Sequence, residues 1–122
     1  MNQYSFEKLN IWNNIRDLVK EVYLISKDFP DSEKFGLTNQ IRRAIVSVSS
    51  NIAEGTSRTS YKDQAHFSQI AYSSLMEVLS QLIVSYDLNY INRERLERVR
   101  LKIDNLAPRI SSLRNSQLAR CK

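Results

Sequence analysis

The sequence predicts an all-α protein folded as one domain, an antiparallel four-helix bundle with up-down-up-down topology. Glycine and proline each occur only twice among 122 residues, which disfavours a fold of many short strands and turns. Apolar residues recur at spacings of three and four along four segments, as in helices that bury one face. Short connections join these segments, and short connections place successive helices antiparallel.

The first two predicted helices cover residues 7–28 and 37–54. The apolar face of the first consists of Ile11, Ile15, Leu18, Val22, Ile25 and Phe29. Pro30 ends this helix because the residue before a proline avoids helical dihedrals. The apolar face of the second consists of Leu37, Ile41, Ile45, Val48 and Ile52. Gly55 is expected to stop this helix, as glycine often does at a helix C-terminus.

The third predicted helix covers residues 61–88. Ser60 followed by Asp63 matches the pattern of a capping box, in which the serine side chain accepts a hydrogen bond from the backbone three residues later. The apolar face of this helix consists of Phe67, Ile70, Ala71, Leu75, Val78, Leu79, Leu82 and Ile83.

The fourth predicted helix covers residues 93–115, with Asn92 as its N-cap. Its apolar seam has the most regular spacing in the chain and consists of Leu96, Val99, Ile103, Leu106, Ile110 and Leu113. Pro108 falls on the opposite side from this seam, so we expect a kink there with both halves still facing the core.

The basic charge is concentrated in the fourth helix. The chain carries a formal charge of +5, but residues 1–92 sum to −1 and residues 93–122 to +6. Basic residues flank both sides of the apolar seam, a pattern that favours binding to the phosphates of RNA or DNA. The candidate nucleic-acid-binding residues are Arg93, Arg95, Arg98, Arg100, Lys102, Arg109 and Arg114.

A second interpretation gives the same cations a structural role. Long cationic side chains often cover the edge of a core and pair with acids on neighbouring helices. Asp17, Glu21 and Asp87 are the acids expected to serve as partners. The direction in which the arginines point distinguishes the two interpretations.

Residues that usually perform catalysis are scarce. His66 is the only histidine, no glycine-flanked serine indicates a nucleophile, and two glycines cannot build a phosphate-binding loop of the common types. We therefore predict no enzymatic activity, no cofactor and no metal site. The single Cys121 and the lack of a signal peptide or a long apolar segment predict a cytoplasmic protein with no membrane association.

A polar stripe runs along the second helix beside its apolar face. Its members are Gln40, Arg43, Ser47, Asn51 and Glu54. Serine is a poor helix former but allows helices to approach closely. Glu77, with Ser73 and Ser74 one turn before it, is a possible partner for Arg43. The stripe predicts a hydrogen-bonded polar seam, either inside the bundle or at a contact between subunits.

Three motifs resemble one family. The matching residues are Phe6-x-x-Leu9-x-Ile11-Trp12, Phe29-Pro30-x-x-Glu33-x-Phe35-Gly36-Leu37-Thr38-x-Gln40-Ile41-Arg42-Arg43-Ala44 and Ser47-x-x-x-Asn51-Ile52-Ala53-Glu54-Gly55. The match continues through Glu77 and ends near Tyr90-Ile91. These residues resemble the bacterial four-helix bundle proteins named for reading frames in intervening sequences of 23S rRNA genes. The family motif includes Gly55 and Glu77 together with the polar stripe.

The resemblance implies a left-handed bundle that assembles into a homo-oligomeric ring, commonly a pentamer. It also implies kinship with the accessory variability protein of diversity-generating retroelements, and hence a possible protein partner such as a reverse transcriptase. No catalytic residues follow from the family. The leading hypothesis is an oligomeric protein that binds RNA or DNA backbone, and the alternative is an assembly module whose ring docks another protein.

Overall fold

The computed structural model describes residues 1–121, and within them the chain forms a four-helix bundle. The long helices are α1 (Asn10–Lys27), α2 (Leu37–Thr56), α3 (Tyr61–Asp87) and α4 (Arg93–Ala119). Short 3-10 helices precede α1 and α2, at Ser5–Lys8 and Asp31–Glu33. Each long helix contacts the next one along the chain, and α4 closes the bundle against α1. The predicted all-α, antiparallel four-helix bundle is confirmed.

The core lies along the axis of the bundle and receives the apolar face of every long helix. Its largest fully buried side chains are Ile15, Leu18, Val22, Ile25, Ile41, Ile45, Val48, Ile52, Leu75, Leu82, Ile103 and Ile110. These residues recur every three or four positions in α1 and α2 and seven positions apart in α3 and α4, so each helix directs one stripe inward. Burial of this apolar area is the main force that holds the bundle together.

The N-terminal caps of α3 and α4 match the sequence patterns that predict them. Ser60 Oγ accepts a hydrogen bond from the backbone N–H of Asp63 at 3.1 Å. Asn92 Oδ1 accepts one from the backbone N–H of Arg95 at 2.8 Å. Each cap satisfies one of the backbone donors that a helix leaves free at its start, which stabilises the helix by about 1 kcal/mol.

Two ends of the predicted helices differ from the observed ones by three residues or more. The segment predicted to start the first helix at residue 7 instead forms a 3-10 turn, and the extended backbone of Leu9 separates that turn from α1. The fourth helix extends beyond residue 115 to Ala119. Gln117 continues the inward stripe there and accepts a hydrogen bond from Ser68 Oγ of α3 at 2.7 Å. Because Gln117 is polar, a search for repeating apolar residues does not extend the predicted helix to this last turn.

Gly55 does not act as the sequence pattern predicts, whereas Pro108 lies on the side of its helix that the pattern predicts. The helix α2 continues through Gly55, which is buried, and ends one residue later. Gly55 is therefore not the stop that the sequence pattern predicts. Pro108 is exposed on the side of α4 away from the core, as expected, and α4 is continuous through it. The kink expected at Pro108 stays a prediction.

A hydrogen-bonded cluster joins the two connections at one end of the bundle. The Glu33 carboxylate accepts bonds from the Tyr90 hydroxyl at 2.7 Å and from the backbone N–H of Leu37 at 3.2 Å. These bonds lower the pKa of Glu33 below its ordinary value, and the bond to the carboxylate raises the pKa of Tyr90. A Cβ at Gly36 would lie only 2.7 Å from Glu33 Oε1, so glycine makes room for this cap.

No helix within residues 1–121 is long and apolar enough to cross a lipid bilayer. The same residues contain no group of three or more His, Cys, Asp or Glu side chains arranged to hold a metal ion.

Candidate nucleic-acid interface

The cations of α4 lie along its two flanks, one on each side of the buried seam. Arg95, Arg98, Lys102 and Arg109 follow the flank beside α1, where the first three line a groove between α1 and α4. Arg93, Arg100 and Arg114 recur at intervals of seven and fourteen residues, which places them on the opposite flank beside α3. All seven side chains reach the surface, although Arg95, Arg109 and Arg114 are only half-exposed.

Two cations on the α1 flank pair with acids of the neighbouring chain segment. Arg95 Nη1 lies 2.7 Å from Asp28 Oδ2, just beyond the end of α1. Lys102 Nζ donates to the carboxylate of Glu21. Glu21 is one of the partners that the sequence indicates, whereas Asp17 and Asp87 form no ion pair within residues 1–121. These two pairs support the structural interpretation for Arg95 and Lys102.

Two other cations pair only with acids one turn away on α4 itself. Arg93 Nε lies 3.0 Å from Glu97 Oε1, and Arg98 Nη2 lies 3.3 Å from Glu94 Oε1. The side chains of Arg93 and Arg98 are 78% and 67% exposed. Pairs of this kind stabilise a helix by only about 0.3–0.5 kcal/mol. Both arginines are therefore available to a stronger anionic partner.

The remaining three cations have no acidic partner in the part of the chain that the structure describes. Arg109 Nη1 donates to Asn105 Oδ1 at 2.9 Å, and Arg114 donates to the side-chain oxygens of Gln69 and Asn115. Arg100 is exposed. Amide oxygens orient the guanidinium groups of Arg109 and Arg114 without neutralising them. The positive charge of all three residues is therefore not balanced by a neighbouring acid.

Only the middle of the polar stripe of α2 forms a hydrogen-bonded seam where this helix meets α3. The hydroxyls of Ser47 and Ser74 are 3.0 Å apart, in hydrogen-bond contact. Asn51 Nδ2 donates to the backbone carbonyl of Ser47 at 2.8 Å and to its hydroxyl at 3.0 Å. This part of the seam lies inside the chain, half-buried between the two helices.

The two ends of the stripe do not join this seam. Glu54 forms an ion pair with Arg58 at 2.8 Å, and Gln40 and Arg43 are exposed. Arg43 and Glu77 do not form the ion pair that their positions suggested. Glu77 Oε2 accepts a hydrogen bond from Gln81 Nε2 at 3.1 Å. Arg43 and Glu77 thus remain two exposed opposite charges on adjacent helices.

Gly55, the last residue of the family motif on α2, contacts the start of α3. A Cβ at this position would lie 3.2 Å from the Cβ of Phe67 and 3.5 Å from the carbonyl oxygen of Gln64. The first of these distances is tighter than an ordinary carbon–carbon contact. The glycine is there because the two helices approach closely, which a sequence pattern for helix ends does not reveal.

Comparison with known proteins follows the same motifs. Residues 7–112 match the family model described as 23S rRNA-intervening sequence protein. The chain belongs to this family. This match confirms the resemblance seen in the sequence motifs. The matched range contains six of the seven candidate cations and ends before Arg114.

A solved structure has the same fold as this chain. It is a protein of unknown function from the S23 ribosomal protein family of Bacteroides thetaiotaomicron VPI-5482. The two chains are 21% identical and superpose with a TM-score of 0.78, over 84% of this chain and 96% of the other. No curated protein matches the chain. At this identity the likeness establishes the bundle and not an activity.

Sequence reasoning missed Asp28 as a partner of α4. The signal was present, because Asp28 follows Glu21 by seven residues and therefore lies on the same flank of α1. Asp28 lies two residues before Pro30, in the segment whose pattern indicates a helix end.

Proposed function

We propose that this chain is a non-enzymatic, homo-oligomeric, cytoplasmic protein that binds the phosphate backbone of RNA or DNA through α4. The observation that supports the proposal is the surface position of all seven candidate cations, three of which have no acidic partner within residues 1–121. An exposed guanidinium without an acidic partner can donate hydrogen bonds from two of its nitrogen atoms to the oxygens of one phosphate.

The pairing of the other four cations is compatible with this role. Exposed ion pairs contribute about 0–1 kcal/mol, and salt weakens them further. A nucleic acid offers many phosphates and releases condensed counterions when cations neutralise them. Arg93 and Arg98 therefore exchange their helix partners for phosphates at little cost, while Arg95 and Lys102 hold α4 against α1. Several such weak contacts gain avidity when subunits assemble.

The test is binding of a labelled single-stranded RNA and a DNA duplex by fluorescence anisotropy, across a salt series. The variant R100Q/R109Q removes two unpaired cations, and K8Q/K34Q removes the same charge from exposed lysines elsewhere. We expect R100Q/R109Q to bind single-stranded RNA roughly tenfold more weakly, with the slope of log K against log salt reduced by about 1.4. Unchanged binding by R100Q/R109Q would rule out the α4 surface.

A second candidate function is an assembly module that docks another protein, for which a reverse transcriptase is the partner that the resemblance implies. The supporting observation is on the α2–α3 side, where Arg43 and Glu77 are exposed and unpaired with each other, and the buried Gln81 Oε1 has no hydrogen-bond partner. Light scattering on the same samples measures the oligomer mass. A stable oligomer that binds neither nucleic acid at low salt would favour this candidate.

A further inference from the structure

The charges of α1 alternate along the chain but separate in space. Three times along the helix, a cation is followed directly by an acid, at Arg16-Asp17, Lys20-Glu21 and Lys27-Asp28. Successive pairs are separated by four and then seven residues, so the three cations share one stripe and the three acids share another. One residue turns the helix by about 100 degrees, and the two stripes therefore face different directions.

The acidic stripe of α1 faces α4. Glu21 and Asp28 accept bonds from Lys102 and Arg95, and Asp17 lines the groove between the same two helices. The acids of this stripe thus neutralise part of the positive charge of α4. The acids that balance the cations of α1 in the sequence are turned away from those cations in the fold.

The basic stripe of α1 faces solvent on the outer side of the bundle. Arg16, Lys20 and Lys27 are exposed and form no ion pair in the part of the chain that the structure describes. Tyr23, which is 40% exposed, lies between them at the same helical spacing. With a rise of about 1.5 Å per residue, the stripe is about 16 Å long.

Helix α2 extends the positive surface. The guanidinium of Arg42 lies 4.6 Å from the centre of the Tyr23 ring, and it donates to Ser26 Oγ at 2.8 Å and to the Tyr23 carbonyl at 3.3 Å. Arg43 is the exposed residue beside it on α2, and both arginines line a shallow groove with Tyr23. Neither arginine has an acidic partner within residues 1–121.

Two of these guanidinium groups lie over aromatic rings. Arg42 is held over Tyr23, and Arg16 lies 5.0 Å from the centre of the Trp12 ring while donating to Asn13 Oδ1 at 3.1 Å. A guanidinium fixed in this way loses less conformational freedom when it binds a phosphate. A row of cations with interleaved aromatic side chains is also the arrangement by which proteins bind nucleic-acid strands without reading their sequence.

We infer that the outer face of α1 and α2, built from Arg16, Lys20, Tyr23, Lys27, Arg42 and Arg43, is a second binding surface for the phosphate backbone of a nucleic acid. We refer to it as the α1–α2 face. It adjoins the α4 surface at Lys20, which lines the groove between α1 and α4 with Arg95, Arg98 and Lys102, and it goes beyond the proposed function. The net charge of residues 1–92 does not reveal this face, because the acids and the cations of α1 cancel in the sum but lie on different sides of the helix.

The experiment compares three variants that lose the same charge, in the anisotropy assay with single-stranded RNA, duplex RNA and poly-L-glutamate. R16Q/K27Q alters the α1–α2 face at two exposed positions away from the α1–α4 groove, R100Q/R109Q alters the α4 surface, and K8Q/K34Q is the control. Circular dichroism and the oligomer mass check that each variant folds and assembles like the wild type. We expect R16Q/K27Q to bind RNA roughly tenfold more weakly, with a salt slope reduced by about 1.4 on single strands, and the control to bind like the wild type.

The outcomes separate the two surfaces. Weaker binding by R16Q/K27Q alone supports the α1–α2 face and rejects the α4 surface, whereas weaker binding by both non-control variants supports both. Wild-type binding by R16Q/K27Q overturns the inference even if R100Q/R109Q is impaired. An equal loss in all three variants means that only net charge matters, which also overturns it. Poly-L-glutamate binding as tight as RNA binding, and equally weakened by R16Q/K27Q, would assign the face to an acidic protein instead.

Discussion

The α2–α3 contact and the α1–α4 contact hold the same bundle together with different side chains. Between α2 and α3, small residues bring the helices close, with Gly55 against Phe67 and Ser47 against Ser74. Between α1 and α4, long charged side chains reach across, and a groove of about 290 Å³ remains beside Lys102. One contact depends on how little space its residues occupy, and the other depends on charge.

This difference determines where the molecule keeps its free charge. The α2–α3 contact is made by neutral groups and leaves the surrounding charges unaltered. The α1–α4 contact uses two acids of α1 and two cations of α4. Successive residues of a helix point about 100 degrees apart, so the acids of α1 lie beside α4 while the cations next to them in the sequence remain at the surface. The orientation of α1 in the bundle is thus the reason that it presents a basic face.

The largest effect is expected from filling the space at Gly55. Gly55→Leu places a side chain where even a Cβ would lie 3.2 Å from Phe67, and overpacking of this kind costs about 1–3 kcal/mol. Thermal and urea unfolding followed by circular dichroism measure the loss. Ser50→Leu, at an exposed position of α2, is the control and should change the free energy of unfolding by less than about 0.5 kcal/mol. Equal stability of the two variants would show that α2 and α3 are not closely packed there.

A smaller effect is expected from the serine pair. Ser47→Ala and Ser74→Ala each remove one hydroxyl of the 3.0 Å contact, and each should cost about 1 kcal/mol. The double variant should cost less than the sum, because the second change removes a partner that has already lost its bond. This coupling should be the same at low and high salt, since neither group is charged. Additive losses would show that the two hydroxyls do not interact.

The smallest effect is expected from the Lys102–Glu21 pair, which is half-exposed on the lysine side. A double-mutant cycle with Lys102→Gln and Glu21→Gln should give a coupling of at most about 0.5 kcal/mol. That coupling should disappear near 1 M salt, where the screening length is about 3 Å. The exposed Arg93–Glu97 pair provides a matched cycle within α4. A coupling above about 1 kcal/mol that persists at high salt would make the α1–α4 contact resemble the α2–α3 contact.

Much of the fold was predictable from local patterns. The three-four spacing of apolar residues identified all four long helices, and Ser60 and Asn92 marked the starts of α3 and α4. The polar stripe of α2 was recognised through its serines, and Ser47 does meet Ser74. These features depend on residues within one or two turns of each other, which a sequence displays directly.

The candidate site was less predictable because its properties depend on neighbours that are distant in the sequence. The seven basic residues of α4 could be listed, but their division into paired and unpaired groups required the position of α1. Arg95 pairs with Asp28, 67 residues earlier in the chain. The α1–α2 face cannot be seen in the net charge of residues 1–92, because that sum cancels cations and acids that lie on different sides of α1.

The sequence alone determined the helices, the face that each one buries and the membership of a family, because helix periodicity and motif spacing are local properties. The tertiary structure decided which charges neutralise one another and which remain free. Ion pairing depends on distances of a few ångströms between side chains on different helices, and those distances exist only after the bundle has formed. The tertiary structure likewise explains why position 55 is a glycine, since a close approach requires two helices.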